Sequence, residues 1–375
     1  MLGPEYLQRT LPEEVAKVYY EIEKDMLRDI ARRLKGANYL TPTAMWEIEK
    51  ARDMNILYDD LVNTIARYAN MSEEAVERAL WDAGIRSVEY DNEIYKRAKE
   101  LGQIPGTPLP LEQAPYLQMT LEAGIENAKE LMRLTNTRAV QGARMTFSEI
   151  VDKAYLGIQT GAMTFDQAMR EAISELAQRG IKVVNYASGR SFSMEAAVRM
   201  NIITTANQTV AKIAERQFEM MGASLVETTS HAGARPSHAE WQGKVFWWKR
   251  YVKGYEEFES STGYGTPGGL CGVNCYHSFY PYFKGISSQS FERDPARKHL
   301  GIDNDEYYEL TQEQRRLERN VRVAKKEQVI AEEIGDDEAI HRARAKVRNA
   351  QAQVRKFISE HPVLERDYIR ESIGR

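Results

Sequence analysis

Residues 226 to 285 interrupt a chain that elsewhere reads as helix, and the interruption limits what the chain can fold into. The stretch reads VETTSHAGARPSHAEWQGKVFWWKRYVKGYEEFESSTGYGTPGGLCGVNCYHSFYPYFKG. It contains both cysteines, Cys271 and Cys275, and three of the six histidines, His231, His238 and His277. Trp241, Trp247 and Trp248 fall within eight residues, and glycines cluster at Gly263, Gly265, Gly268, Gly269 and Gly272. Helices host glycine and proline poorly, so this composition predicts loops and short strands. Their shape must come from tertiary contacts, with aromatic side chains supplying the burial.

Composition sets outer bounds. A chain of 375 residues has room for two or three domains. The charged fraction is 28% and the hydrophobic fraction 42%, which suits helices with large exposed faces or an assembly subunit. A net charge of −4 excludes a globally basic nucleic-acid binder. No apolar run approaches the roughly 18 residues of a membrane span, and MLGPEYLQRTLPEEV has no secretory pattern. Two cysteines make no disulfide framework, so synthesis in a reducing cytoplasm is expected.

Periodicity predicts a helix over 12–35, opened by Pro12-Glu13-Glu14. A second helix is expected from Thr43, with 60–69 continuing the helical pattern, then a short helix from Ser72 to Gly84 and one more over 86–101. GQIPGTPLPLEQAP, residues 102–115, is too rich in proline to pack as an element and reads as a connector or an extended arm. Helices follow over 117–134, from Thr146 to Gly161 and from Thr164 to Gly180. IKVVNYASGRSF, residues 181–192, reads as a β-hairpin turning at Ser188-Gly189. Ser193 caps a long helix ending near Met221 and Gly222, and Leu225-Val226 starts a strand.

Beyond residue 290, apolar and small residues recur at three- and four-residue steps: Leu310, Gln314, Leu317, Val321, Ala324, Gln328 and Ala331, then Ala343, Val347, Ala350, Val354 and Phe357. Gly335 and an aspartate separate the two runs, which predicts a helical hairpin with a thin, coiled-coil-like seam. Such a seam buries little apolar area, so residues 306–360 are expected to order firmly only against a partner.

The fold class is therefore α+β, predominantly α-helical, in three regions. These are a helical N-terminal region over 1–140, a Gly/aromatic-rich α+β module over 141–290, and a C-terminal helical hairpin over 291–375.

The candidate chemistry is concentrated in the central stretch. Cys271, Cys275 and His277, with His238 or His231, carry the donor types zinc prefers. The spacing departs from the usual zinc knuckle. The expectation is a small buried cysteine beside a hydrogen-bonded histidine and no cofactor, with zinc on His238, Cys271, Cys275 and His277 as the alternative. No orienting third group or oxyanion hole identifies a nucleophile pair, and GYGTPGG lacks the Gly-Lys-Ser/Thr of a phosphate loop. HRARAKVRNAQAQVRK, residues 341–356, is locally basic; pairing with acids of the facing helix is expected over contact with nucleic acid. Arg235, between Gly233 and Pro236, is expected to be partly buried against backbone carbonyls or an acid.

SHAGARPSHAEWQGKVF (230–246) and STGYGTPGGLCGVNCYHSFYPYF (261–283), with SGRSFSMEAAVRMNIITTANQ (188–208) upstream, resemble the phage minor capsid protein 2 family. That family is similar in its C-terminal half to Mu F-like head morphogenesis proteins. The matching positions are His231, Gly233, Arg235, His238, Trp241, Gly243, Gly263, Tyr264, Gly265, Cys271, Asn274, Cys275, His277 and Tyr280. One departure is Tyr276, where the family is expected to carry Arg. The resemblance implies a low-copy virion protein of the head and portal vertex, acting in head morphogenesis. It also implies portal and other capsid proteins as partners, packaged DNA as a further contact, oligomeric assembly in the particle and no membrane. It carries no catalytic residues, so no enzyme is expected. The rivals are a metal-dependent hydrolase or toxin-like enzyme on His238, Cys271, Cys275 and His277, and a DNA-binding head protein using 341–356.

Overall fold

The computed structural model of the chain describes residues 3, 5–184 and 189–374. A π-helical turn, Tyr6–Thr10, runs without a break into α1 (Leu11–Gly36), so Pro12 does not open the helix as expected but follows helical residues, and its missing N–H gives up one bond to the preceding turn. The separate helices expected downstream are corrected: one helix, α2 (Thr43–Glu100), runs through all of them. Ser72 is no cap, because its hydroxyl donates to the Ala69 carbonyl at 2.8 Å, the way serine is accommodated inside a helix. Gly84 is no stop. A Cβ there would stand 2.8 Å from Leu121 Cδ2, on α3 (Pro115–Gln159).

The same correction holds for α3 itself. It absorbs both the 117–134 helix and the one expected from Thr146, which is buried mid-helix. Gly142 in α3 lies against the Lys182 carbonyl with no room for a Cβ. Local propensity reads glycine as punctuation, but close approach between elements uses it for space.

Other boundaries fall where expected. Thr164 and Gln167 form a reciprocal capping box at the start of α4 (Phe165–Arg179), and Gly180 ends it. β1 (Lys182–Val184) and β2 (Ser191–Ser193) pair antiparallel. In the turn between them, Ser188 lies outside the described residues, and Gly189 has φ +66°. Ser193 Oγ accepts from the Ala196 N–H at 3.3 Å and caps α5 (Met194–Met221).

The central stretch then forms β3 (Leu225–Thr228), α6 (Pro236–Ala239), β4 (Val245–Trp247), β5 (Glu256–Glu257), α7 (Phe258–Thr262) and β6 (Phe279–Tyr282). The four strands order as β5-β4-β3-β6, with β3 antiparallel to both neighbours and β4 parallel to β5. Pro281 is tolerated because β6 is an edge strand. The chain closes with α8 (Asn304–Ile334) and α9 (Asp337–Glu360), capped by Asp336, whose carboxylate accepts from the Ala339 N–H at 2.9 Å. The protein is α+β and predominantly helical.

Residues gather into two compact units: 1–15, 73–132 and 199–311 in the first, and 16–72, 133–198 and 312–375 in the second. These units cut across the three consecutive regions read from the sequence. In the first, Phe218, Trp248, Phe258 and Phe279 interlock, with Phe258 and Phe279 ring centres 4.9 Å apart. The proline-rich segment belongs to this unit and, against expectation, is packed. Ile104, Leu111 and Ala114 are buried, and Asn92 donates to the Leu109 carbonyl at 2.7 Å.

In the second unit Trp46 stacks on Tyr155 at 4.2 Å. The α8–α9 seam holds Leu317, Val321, Ala350 and Val354, with Phe357 packed against them. α8 is also held on its other faces. Lys326 pairs with buried Glu23 at 2.5 Å, Arg322 with Glu195 at 2.9 Å, and Gln314 donates to the Glu365 carbonyl at 2.8 Å. In the basic helix, Arg344 and Lys346 pair across the hairpin with Glu332 and Glu327.

Candidate functional site

The sulfur and imidazole groups meet because four separate pieces of the first unit hold them. β3 runs through the middle of the sheet with all four residues buried. Just beyond it, the backbone N–H of Thr229 donates to the Ser278 carbonyl and the Ser278 N–H donates to Thr229 Oγ1, each at 2.9 Å. That fixes the segment carrying His277. α6 presents His238, 2% exposed. From α5, Asn207, fully buried, donates to the carbonyls of Cys275 and His277 at 3.1 and 2.8 Å. The fourth piece is the tight loop before Cys275. There Cys271 and Asn274 adopt φ +56° and +52°, and Gly269 lies so close to the Gly263 carbonyl that no Cβ would fit.

Cys275 Sγ lies 3.8 Å from Nδ1 of His238 and 3.8 Å from Nδ1 of His277. The three ligand atoms all fall within 4.8 Å of one another. The other ring nitrogens are tied. Nε2 of His238 is 2.9 Å from the Gly268 carbonyl, which can only accept, so that nitrogen carries the proton. Nε2 of His277 is 3.1 Å from Gln242 Oε1. That oxygen also accepts from the His231 N–H, while the Gln242 amide nitrogen donates to the Arg293 carbonyl, which sets the amide orientation. Both imidazoles therefore turn an Nδ1 lone pair toward one sulfur.

Cys271, the fourth member of the alternative zinc set, is buried nearby but directed elsewhere. Its Sγ lies 3.5 Å from Asn207 Oδ1 and 3.6 Å from the His277 carbonyl. His231 is not a member either. Its Nδ1 lies 2.9 Å from the Ala232 carbonyl, and its ring packs on His277 with centres 4.5 Å apart.

Burial sets the electrostatics. It pushes the His277 imidazole well below its usual pKa, with the neighbouring His231, His238 and Arg235 adding to the effect. It lowers His238 too, against the opposing hydrogen bond to Gly268. It raises the Cys271 thiol well above the ordinary range. It raises Cys275 as well, opposed by the backbone N–H groups of His277, Cys271 and Gly272 and by the Arg235 charge. Neutral imidazoles and sealed thiols of this kind can pack together or share a soft cation. Attack on a substrate would first require the site to open.

The remaining motif residues hold the frame. Arg235, half-buried, donates through one guanidinium nitrogen to the carbonyls of Val273 at 2.9 Å and Asn274 at 3.2 Å, as expected for it. The Asn274 N–H donates to Thr204 Oγ1 at 2.9 Å. Trp241 packs on both His238 and His277, with centres 4.8 Å apart in each case. Gly233 (φ +69°) lies against the Tyr307 ring, and Gly243 (φ +62°) against the Glu292 carbonyl. Gly263 and Gly265 take φ +63° and +85° around Tyr264, whose hydroxyl donates to Glu215 at 2.8 Å. Tyr280 is buried edge-on to Tyr90.

Sequence reasoning missed Asn207 and Gln242, the two buried amides that organise the cluster. Both lie within the blocks that carry the family resemblance, and that is the one signal that could have found them.

A helix-rich scaffold with its chemistry-bearing residues sealed in a Gly/aromatic knot is built like a structural component. Its sequence matches the family described as phage minor capsid protein 2 over residues 2–359, and the chain belongs to that family. It is 26% identical over 341 residues to a structural protein of Lactococcus phage LL-H, covering 87% of this chain and 88% of that protein. A structural protein of Lactococcus phage mv4 is 38% identical over 112 residues, 30% of this chain and 87% of that protein. No solved structure matches the chain.

Proposed function

We propose that this chain is a minor structural protein of a tailed-phage head, located in the virion at the portal vertex and facing the head interior, where it acts in head morphogenesis. The observation that carries this reading is family membership along nearly the whole chain. The relative covered almost end to end is itself a phage structural protein. Its partners are the portal protein, other capsid proteins and further copies of itself. The exposed Arg348 and Arg355 of α9 offer a contact to packaged DNA. Among the described residues no helix is long and apolar enough to cross a membrane.

The reading assigns the chain no catalysis. A hydrolase on Cys271, Cys275, His238 and His277 would need them within reach of substrate, and they are 3%, 1%, 2% and 1% exposed.

Two measurements test the proposal. The chain should co-purify with the portal protein encoded beside it when the two are co-expressed, and quantitative mass spectrometry of purified particles should find it at low copy. Its absence from particles would overturn the reading.

A further inference from the structure

We propose that Cys275 Sγ and the Nδ1 atoms of His238 and His277 together bind one zinc ion, clamping α6 to the segment before β6.

The argument begins with a shortage of protons. One thiol has one S–H to give, and two imidazole lone pairs face it, each 3.8 Å away. Among the described residues Cys275 Sγ is the polar partner of both Nδ1 atoms. Packed without a metal, at least one buried acceptor is left unsatisfied, a desolvation cost that nothing in the site offsets. A divalent cation satisfies both lone pairs and the sulfur at once.

The surroundings have the form expected around ligands. Metal-bound histidines usually give their second N–H to a carbonyl or carboxylate, which fixes the tautomer. Here the Gly268 carbonyl and the Gln242 amide oxygen take that place. The Cys275 sulfur also receives the His277 N–H at 3.4 Å, a contact that favours thiolate over thiol.

The size fits as well. Zinc bonds of about 2.3 Å to sulfur and 2.0–2.1 Å to nitrogen in a tetrahedron put sulfur and nitrogen roughly 3.5 Å apart. The sulfur–nitrogen pairs need to close by a few tenths of an ångström from 3.8 Å. The two nitrogens, which lie within 4.8 Å of each other, must come to about 3.4 Å, so the site is completed chiefly by the imidazoles swinging toward one another. Two imidazoles and a thiolate suit zinc far better than magnesium or calcium. On binding, the Cys275 proton leaves to solvent. Cys271 is not a ligand, because its thiol is engaged with Asn207 and the His277 carbonyl. This inference does not depend on where in the particle the chain resides.

The test uses the full chain, expressed with added zinc and purified without chelator. Plasma mass spectrometry should find about one zinc per chain. After exchange with cobalt(II), the protein should show a thiolate-to-cobalt absorption band. Cys271→Ala should keep both signals, and Cys275→Ser should lose both. Zinc well below stoichiometry together with no cobalt–thiolate band in the wild-type chain would overturn the proposal, even if Cys275→Ser fails to fold. Loss of metal from a folded Cys271→Ala protein would overturn the assignment to these three residues.

Discussion

Two single residues show how a fixed donor and a buried acid act on stability. Arg235 reaches two successive carbonyls, at 2.9 and 3.2 Å, in the loop where Asn274 adopts a left-handed backbone. The rigid guanidinium plane fixes the one nitrogen that reaches both carbonyls, whereas the lysine ammonium turns freely on a flexible stem. Arg235→Lys should cost about 1 kcal/mol and lower the melting temperature by a few degrees. An unchanged melt would show that the arginine does not support the loop.

Glu318, 1% exposed on α8, has its carboxyl pushed up to about 7, chiefly by burial. Arg370, Arg322 and the Gln314 amide pull it down, and Asp367 pushes it up. A carboxyl raised in the folded state holds its proton after the unfolded chain has lost it. Stability from this group is therefore intact below about pH 4.5 and falls as pH rises toward 7, by at most roughly 3 kcal/mol. Glu318→Gln keeps the shape and the acceptor for Gln314. It should melt higher than wild type at pH 8 and match it near pH 4. Equal melts at both pH values would mean that the carboxyl is not strained.

At the scale of elements, the hairpin differs from its appearance in the sequence. The seam alone is thin, as the alanines at 324, 331, 343 and 350 suggest. α8 gains from its other faces, where Lys326, Glu327, Ile330 and Ile334 are buried within the second unit. α9 has only Ala339, Ala343, Ala350 and Val354 buried. In the free chain, amide exchange should be slow over 317–334 and fast over 351–360, with the second segment slowing in the assembled particle. Uniformly fast exchange across both helices would restore the expectation that the whole hairpin orders only on assembly.

The long helices carry a related lesson. Periodicity located helices over much of 43–101, over 117–134 and from Thr146 to Gly161, but it divided the first run at Ser72 and Gly84 and started a new helix at Thr146. Nothing local to Gly84 reveals that Leu121 will lie against it.

At the scale of the whole molecule, each compact unit collects three stretches separated along the chain. Consecutive regions are the natural reading of a sequence, because composition and periodicity change along it. Which stretches share a core is a matter of long-range packing. What the sequence alone determined is the local chemistry: helical class from three- and four-residue spacing, the capping box at Thr164, the hairpin strands around residue 183, and a Gly/aromatic stretch that only tertiary contacts could shape. These are legible because backbone preference and side-chain period act over a few residues. Only the tertiary structure decided that His238 and His277 would face one sulfur while Cys271 turned to Asn207. That choice depends on two amides, Asn207 and Gln242, lying 68 residues before Cys275 and 35 before His277. Hydrogen bonds are satisfied across space, and the spacing of residues along a chain does not record which acceptor a buried donor will find.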